Sequence, residues 1–285
     1  LLVTAVIWGS AFVAQKAGMD HVGPFLFNGV RFALGSLFLL PFILTRSGGW
    51  GLQSQRSANT PGLVLAGLVA GLFLFAGSSL QQVGLITTTA GKAGFITGLY
   101  VIIVPLLALV GGHIPSPGAW IGSILAVIGL YLLTVKQGLD IGQGDMLVLL
   151  CAFMFAMHVL VIGWLAPRMD ILKLASFQFG VNAILSLAVA LGMETISLHG
   201  LWKAGIPILY GGLMSVGIAY TLQVVAQKEA PPTHAAIILS LETVFAALSG
   251  WLLLGEEMTG KGMFGCALML SGMLSAQLLP GKNRF

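Results

Sequence analysis

Apolar stretches of about twenty residues recur along the whole chain, divided by short turns rich in Gly, Pro and charge. A helix needs about twenty mostly apolar residues to cross a bilayer. Only helices and closed barrels satisfy every backbone polar group there. Ten such stretches stand at roughly 1–15, 24–44, 61–82, 89–110, 117–135, 145–165, 171–192, 203–225, 232–254 and 261–279. The separators carry turn chemistry: Arg46-Ser47-Gly48-Gly49, His113-Ile114-Pro115-Ser116-Pro117, Gln137-Gly138, Ala230-Pro231-Pro232 and Gly255-Glu256-Glu257. The expectation is an all-α integral membrane protein with ten transmembrane helices and no soluble domain. Leu1 already lies in an apolar stretch, and neither the basic region nor the cleavage site of a signal peptide is visible. The first stretch is therefore read as a shortened span rather than a leader.

Charge usage points the same way. Charged residues are 8% of the 285 positions and hydrophobic residues 57%, whereas soluble domains carry about 25% charged residues. The net charge of +4 comes from Lys and Arg scattered singly. No basic run suits a nucleic acid, and none is expected as a partner. With both termini in the cytoplasm, the inner loops and tail hold Arg46, Arg56, Arg168, Lys173, Lys228, Lys282 and Arg284. The outer ends hold Lys16, Lys92, Lys136, Lys203 and Lys261. That excess favours cytoplasmic termini for a multi-pass protein of the cell inner (plasma) membrane. Cys151 and Cys266 lie in apolar runs and read as buried free thiols. No metal or cofactor is implied.

An internal repeat organises the spans. Leu80-Gln81-Gln82-Val83 matches Leu222-Gln223-Val224-Val225 at an offset of 142, which also pairs Lys92-Ala93 with His234-Ala235 and Leu99 with Leu241. One residue of gap then pairs Gly122 with Gly265 and Gly129 with Gly272. The expected domains are residues 1–137 and 138–285, five helices each. Five is odd, so the second half enters the membrane from the opposite side, as in the inverted repeats of many secondary transporters. Gly67 and Gly71 stand four apart, a spacing suited to close helix packing in lipid.

Several separated motifs carry a family resemblance. The stretch from Pro232 and His234 through Leu241-Glu242-Thr243-Val244 to Leu254-Gly255-Glu256 resembles the ninth helix of EamA-type transporters of the drug/metabolite transporter superfamily. Gly265 and Gly272 match the tenth helix, Val6-Ile7-Trp8-Gly9-Ser10-Ala11-Phe12 the first, and Arg31-Phe32-Ala33-Leu34 the second. Thr243 stands where the family usually has Pro, and Gly112-His113-Ile114 replaces a Leu-Gly-Glu exit in the first half. The resemblance implies two inverted five-helix repeats around a central cavity lined by the first, third, fourth, sixth, eighth and ninth spans. It implies alternating-access transport of a small-molecule substrate, most commonly the export of amino acids or similar amphipathic metabolites. Cationic drugs or quaternary ammonium compounds, and anionic metabolites, are the alternatives.

Glu242, in mid-span, should face a partner or a wet cavity, because a charge at that depth is costly. It suits a substrate ammonium or a proton relay, and equally a structural hydrogen bond. Lys92 and His234 occupy equivalent positions, as do Tyr100 and Glu242 eight residues further on. Each half thus offers a cationic or titratable group with a polar group deeper in; snorkelling of Lys92 and local capping by His234 are the plain alternatives. Helical spacing sets Trp8, Phe12 and Gln15 on one face. It does the same for Phe73, Gly77 and Gln81, for Met157, Leu160 and Trp164, and for Tyr220 and Gln223. Such aromatics could hold an ammonium group. The candidate substrate contacts are Trp8, Phe12, Gln81, Lys92, Tyr100, Trp164, Tyr220, His234 and Glu242. Arg31, about 10 Å into a span that the resemblance makes peripheral, reads as an ion pair or interfacial anchor. His158 reads as hydrogen-bonded core, and Gln178 and Asn182 as interhelical bonding. Glu242, His234 and His158 are the groups that could carry a coupling proton.

An intramembrane hydrolase is the enzymatic rival, since Gly142-Gln143-Gly144-Asp145 matches an aspartyl-protease string. That chemistry needs a second Asp sharing a proton, and Asp20, Asp140 and Asp170 all fall in expected loops. Asp145 reads as a helix-start residue. No metalloprotease, serine-hydrolase or nucleotide-binding motif is present. The chain is expected to be no enzyme.

Overall fold

A computed structural model describes residues 1–47, 60–88, 90–112, 114–134, 142–254 and 259–279. The expected turns at Gly48-Gly49, His113, Gln137-Gly138 and Gly255-Glu256-Glu257 lie outside the described residues. So do Arg56, Lys136, Lys282, Arg284 and the boundary between residues 137 and 138. The described chain is helical throughout, without a strand.

The helices are α1 (Leu2–Met19), α2 (Pro24–Ser47), α3 (Thr60–Thr87), α4 (Ala90–Gly98), α5 (Tyr100–Val110), α6 (Pro117–Thr134), α7 (Gln143–Leu165), α8 (Ile171–Met193), α9 (Leu198–Lys203), α10 (Gly205–Leu209), α11 (Thr221–Gln227), α12 (Pro232–Leu239), α13 (Glu242–Leu254) and α14 (Gly260–Leu278). A π-helical stretch, Tyr210–Tyr220, joins α10 to α11. Local chemistry sets several of the ends. Pro24, Pro117 and Pro232 open α2, α6 and α12, where a missing N–H costs nothing. Asp170 accepts from the Lys173 N–H at 3.0 Å to cap α8, and Thr259 caps α14 through the Gly262 N–H at 3.1 Å. The start of α2 is capped from afar: the Phe25 and Leu26 N–H groups both donate to the Glu194 carboxylate at 2.8 Å.

Eight segments are long and apolar enough to cross a membrane, with α4–α5, α10–α11 and part of α12–α13 each counting as one. The remaining two expected spans are α6, whose apolar part is the shorter Pro117–Leu132, and α14. Large apolar side chains point outward: Ile184 is 69% exposed, Leu191 73% and Leu252 70%. Polar ones sit inside, with Asn28, Gln82, Gln178 and Asn182 fully buried. That inversion of the soluble pattern is what a lipid surround requires. The protein is a multi-pass membrane protein.

Packing relies on small residues. A methyl built on Gly67 would lie 2.6 Å from the Phe177 Cβ, and one on Gly71 2.6 Å from the Val181 Cβ, so α3 and α8 touch along backbone. The α6–α14 seam is closer still. A methyl on Gly122 would stand 2.6 Å from the Gly272 carbonyl, and one on Gly272 2.6 Å from the Gly122 carbonyl. One on Gly129 would stand 2.5 Å from the Gly265 carbonyl. The largest core cluster gathers α2, α3, α7 and α8 around Phe32, Leu74, Ile162 and Phe179.

Candidate substrate cavity

The stretches 90–110 and 232–254 are each interrupted at the same point of the repeat. Leu99 N–H donates to the Ile96 carbonyl, and Leu241 N–H to the Ile238 carbonyl, each at 3.2 Å. These i→i+3 bonds tighten the turn, so α5 starts at Tyr100 and α13 at Glu242. The two residues meet: Tyr100 Oη donates to Glu242 Oε1 at 3.2 Å. Glu242 is 4% exposed. Gly9 lets α1 press against this turn, since a methyl there would lie 2.6 Å from the Glu242 carbonyl.

The pair borders a cavity that is narrow in this conformation. Trp8, Phe12 and Gln15 line it from α1, Gln81 from α3, and Thr97 and Tyr100 from either side of the first break. Phe155, His158 and Val159 enter from α7. Ser215 and Tyr220 come from the π-helical stretch, Gln223 from α11, Leu239 from α12 and Glu242 from α13. The walls are tied together by polar links. Trp8 Nε1 donates to the Ser215 carbonyl at 3.2 Å, and its ring lies 4.4 Å from that of Tyr220. Gln81 Nε2 donates to Thr97 Oγ1 at 3.2 Å. His158 Nε2 shares a hydrogen bond of 2.8 Å with Gln178 Oε1, and Asn182 Nδ2 donates to Ser78 Oγ at 2.9 Å, which joins α8 to α7 and α3.

Six of the nine candidate contacts thus share one cavity: Trp8, Phe12, Gln81, Tyr100, Tyr220 and Glu242. Three lie elsewhere. Lys92 Nζ pairs with Asp145 Oδ2 at 2.6 Å near the starts of α4 and α7, where Thr88 Oγ1 also donates to Asp145 at 2.6 Å. Asp145 further accepts from the Gly142 N–H at 2.8 Å, as a helix-start residue should. Trp164 is 62% exposed on the outer surface, with the Arg168 guanidinium 5.0 Å above its ring. His234 is half-buried at the start of α12, outside the cavity.

Arg31 departs most from its expected place. It forms no ion pair among the described residues and is 2% exposed, lining the cavity from α2. The span read as peripheral is drawn inward by small residues: Gly29 lies against Leu187 of α8 and Gly35 against Val216 of the π-helical stretch. Thr97, Phe155, Val159, Ser215 and Leu239 were not anticipated either, being uncharged residues with no distinguishing spacing.

An all-helical, multi-pass membrane protein with a polar cavity in its interior has an architecture that transporters use. The model of the EamA-like transporter family matches residues 1–135 and again 142–276, and the chain belongs to that family. An uncharacterized transporter of Archaeoglobus fulgidus is 33% identical over 98% of this chain and 84% of its own length. The threonine/homoserine exporter RhtA of Escherichia coli is 26% identical over 99% of this chain and 91% of its own. A solved crystal structure superposes with a TM-score of 0.77 at 20% identity, covering 97% of this chain and 94% of that one, and so shares its fold.

Proposed function

We propose that this transporter is a secondary carrier exporting small amphipathic metabolites, amino acids among them, from the cytoplasm by alternating access. The observation that carries the reading is the Tyr100–Glu242 bond, made at the breaks of two matched helices on the wall of one cavity. Broken helices around a central site are how carriers present polar groups within the membrane. A buried carboxylate beside Trp8 and Tyr220 offers an ammonium group both a counter-charge and aromatic faces. The name of the Escherichia coli relative, an amino-acid exporter, agrees with that choice.

Alternating access needs two exchangeable halves. Ten spans in two inverted five-helix repeats, residues 1–137 and 138–285, supply them, with α6 and α14 as the fifth span of each. The crossed seam supports this. Under the repeat Gly122 corresponds to Gly265 and Gly129 to Gly272, yet Gly122 touches Gly272 and Gly129 touches Gly265. A two-fold axis lying between α6 and α14 generates that exchange. The two separate family matches agree with it.

The test is counterflow in proteoliposomes loaded with amino acids, then with quaternary cations, each with and without a pH gradient. Saturable amino-acid exchange is expected, and Glu242→Gln should lower it at least tenfold. The Gln amide keeps an oxygen for Tyr100, so the variant should still fold. Exchange of quaternary cations alone would replace the substrate class, and wild-type flux in Glu242→Gln would remove Glu242 from the mechanism. A rate that follows the pH gradient and loses that response in Glu242→Gln would identify the proton carrier.

A further inference from the structure

Arg31 is a charged group that the fold has enclosed without neutralising. Its Nε donates to Asn28 Oδ1 at 3.0 Å, and its guanidinium carbon lies 5.0 Å from the Phe32 ring centre and 5.6 Å from that of Phe27. The two terminal nitrogens make no hydrogen bond to any described residue, and no carboxylate lies within ion-pairing distance. Two amide oxygens of residues lining the same cavity, Gln15 Oε1 and Gln223 Oε1, are buried without a protein partner. Buried polar groups in native proteins are almost always satisfied, so the guanidinium edge of Arg31 and the amide oxygens of Gln15 and Gln223 give this one cavity donors and acceptors suited to a polar ligand.

We propose that Arg31 is the carboxylate-binding residue of this cavity, and that the substrate is a zwitterion whose ammonium faces Glu242 and the orphan oxygens of Gln15 and Gln223. The assignment rests on the reading of this cavity as the substrate site and narrows it. Two free guanidinium nitrogens in a plane match the two oxygens of a carboxylate. Arg31 offers a cation and Glu242 an ionisable carboxyl that do not pair with each other, and these complement the two ends of a zwitterion. A simple amine would leave Arg31 unmet, and a phosphate dianion would set its second charge against Glu242. The aromatic faces of Phe27 and Phe32 hold the guanidinium plane in position while leaving its outer edge to the ligand.

The experiment uses the purified full chain in detergent and follows ligand-induced thermal shift and tryptophan fluorescence. Probes are matched triplets built on threonine, leucine and phenylalanine: the amino acid, its amide and the acid lacking the amino group. In wild type at least one amino acid should bind ten times or more tightly than its amide, and Arg31→Gln should abolish that ratio while Arg31→Lys keeps part of it. Should Arg31→Gln fail to fold, the wild-type ratio and Arg31→Lys decide. Amides binding as tightly as the amino acids would overturn the role of Arg31 and leave amino-acid transport standing. Binding of the deaminated acids alone would keep Arg31 as the anchor and overturn the zwitterion. No binding by any carboxylate-bearing probe, or an equal shift from chloride in gluconate buffer, would overturn the proposal outright.

Discussion

Asp145 accepts from Lys92, Thr88 and the Gly142 backbone, and so joins the starts of α4 and α7 to the end of α3. Its side chain is 6% exposed, that of Lys92 36%. Asp145→Asn weakens every one of these bonds and leaves an ammonium beside a neutral amide, a loss of about 1–3 kcal/mol for a charged partner. The melting temperature in detergent should fall by several degrees; an unchanged value would mean that Lys92 finds another acceptor at no cost. Residues of this kind were only half readable in advance. The helix-start role of Asp145 follows from its spacing after Gly142, but its pairing with Lys92 joins residues from different halves of the chain. Arg31 shows the same limit. Its depth along α2 was evident, while the direction it faces depends on how closely α2 packs against α8.

At the scale of the element, the α6–α14 seam is held by backbone meeting backbone. Gly272→Val must push the Gly122 carbonyl away, because even a methyl would lie 2.6 Å from it. Overpacking of this kind costs about 1–3 kcal/mol. Gly180→Ala on α8 is the control, since its nearest neighbour, Ser36 Oγ, would stand at 3.7 Å. It should be neutral or slightly stabilising, given the about 1 kcal/mol helix advantage of Ala over Gly. Thermal melts of the two variants that matched would show the seam to be loose. Which spacings could be read follows from the same helices. On α3, Gly67 and Gly71 mark the face packed against α8, and Gln81, of the stripe with Phe73 and Gly77, lines the cavity. On α7, apolar residues encircle the helix, so nothing in the pattern fixes its rotation. The stripe of Met157, Leu160 and Trp164 looked as good as the one that lines the cavity, Phe155, His158 and Val159. The break at Leu241 has no Pro or Gly in its turn, and the one at Leu99 holds only Gly98 among the chain's 39 glycines, so both emerged only from the backbone.

For the whole molecule, ten spans require that α6 crosses the membrane. Ile114 and Gln143, both exposed and flanking α6, would then lie on opposite sides. Single cysteines at these two positions, in a background lacking Cys151 and Cys266, should be labelled by an impermeant maleimide from opposite faces. Labelling from the same face would leave α6 within one leaflet and end the ten-span arrangement. The helical membrane architecture was largely readable because lipid imposes length and composition on every span; α6, whose apolar part is short, and α14 are where that rule alone runs thin. Symmetry, too, is incomplete. The repeat carries Lys92 onto His234, but its partner Asp145 corresponds to Val3, and no second ion pair occurs among the described residues. If the halves trade roles as proposed, the end held by the Lys92–Asp145 pair has no charged counterpart at His234. The two closed states of such a cycle would then differ in free energy before any solute or gradient is present, and the carrier would have a preferred resting posture written into its own chain.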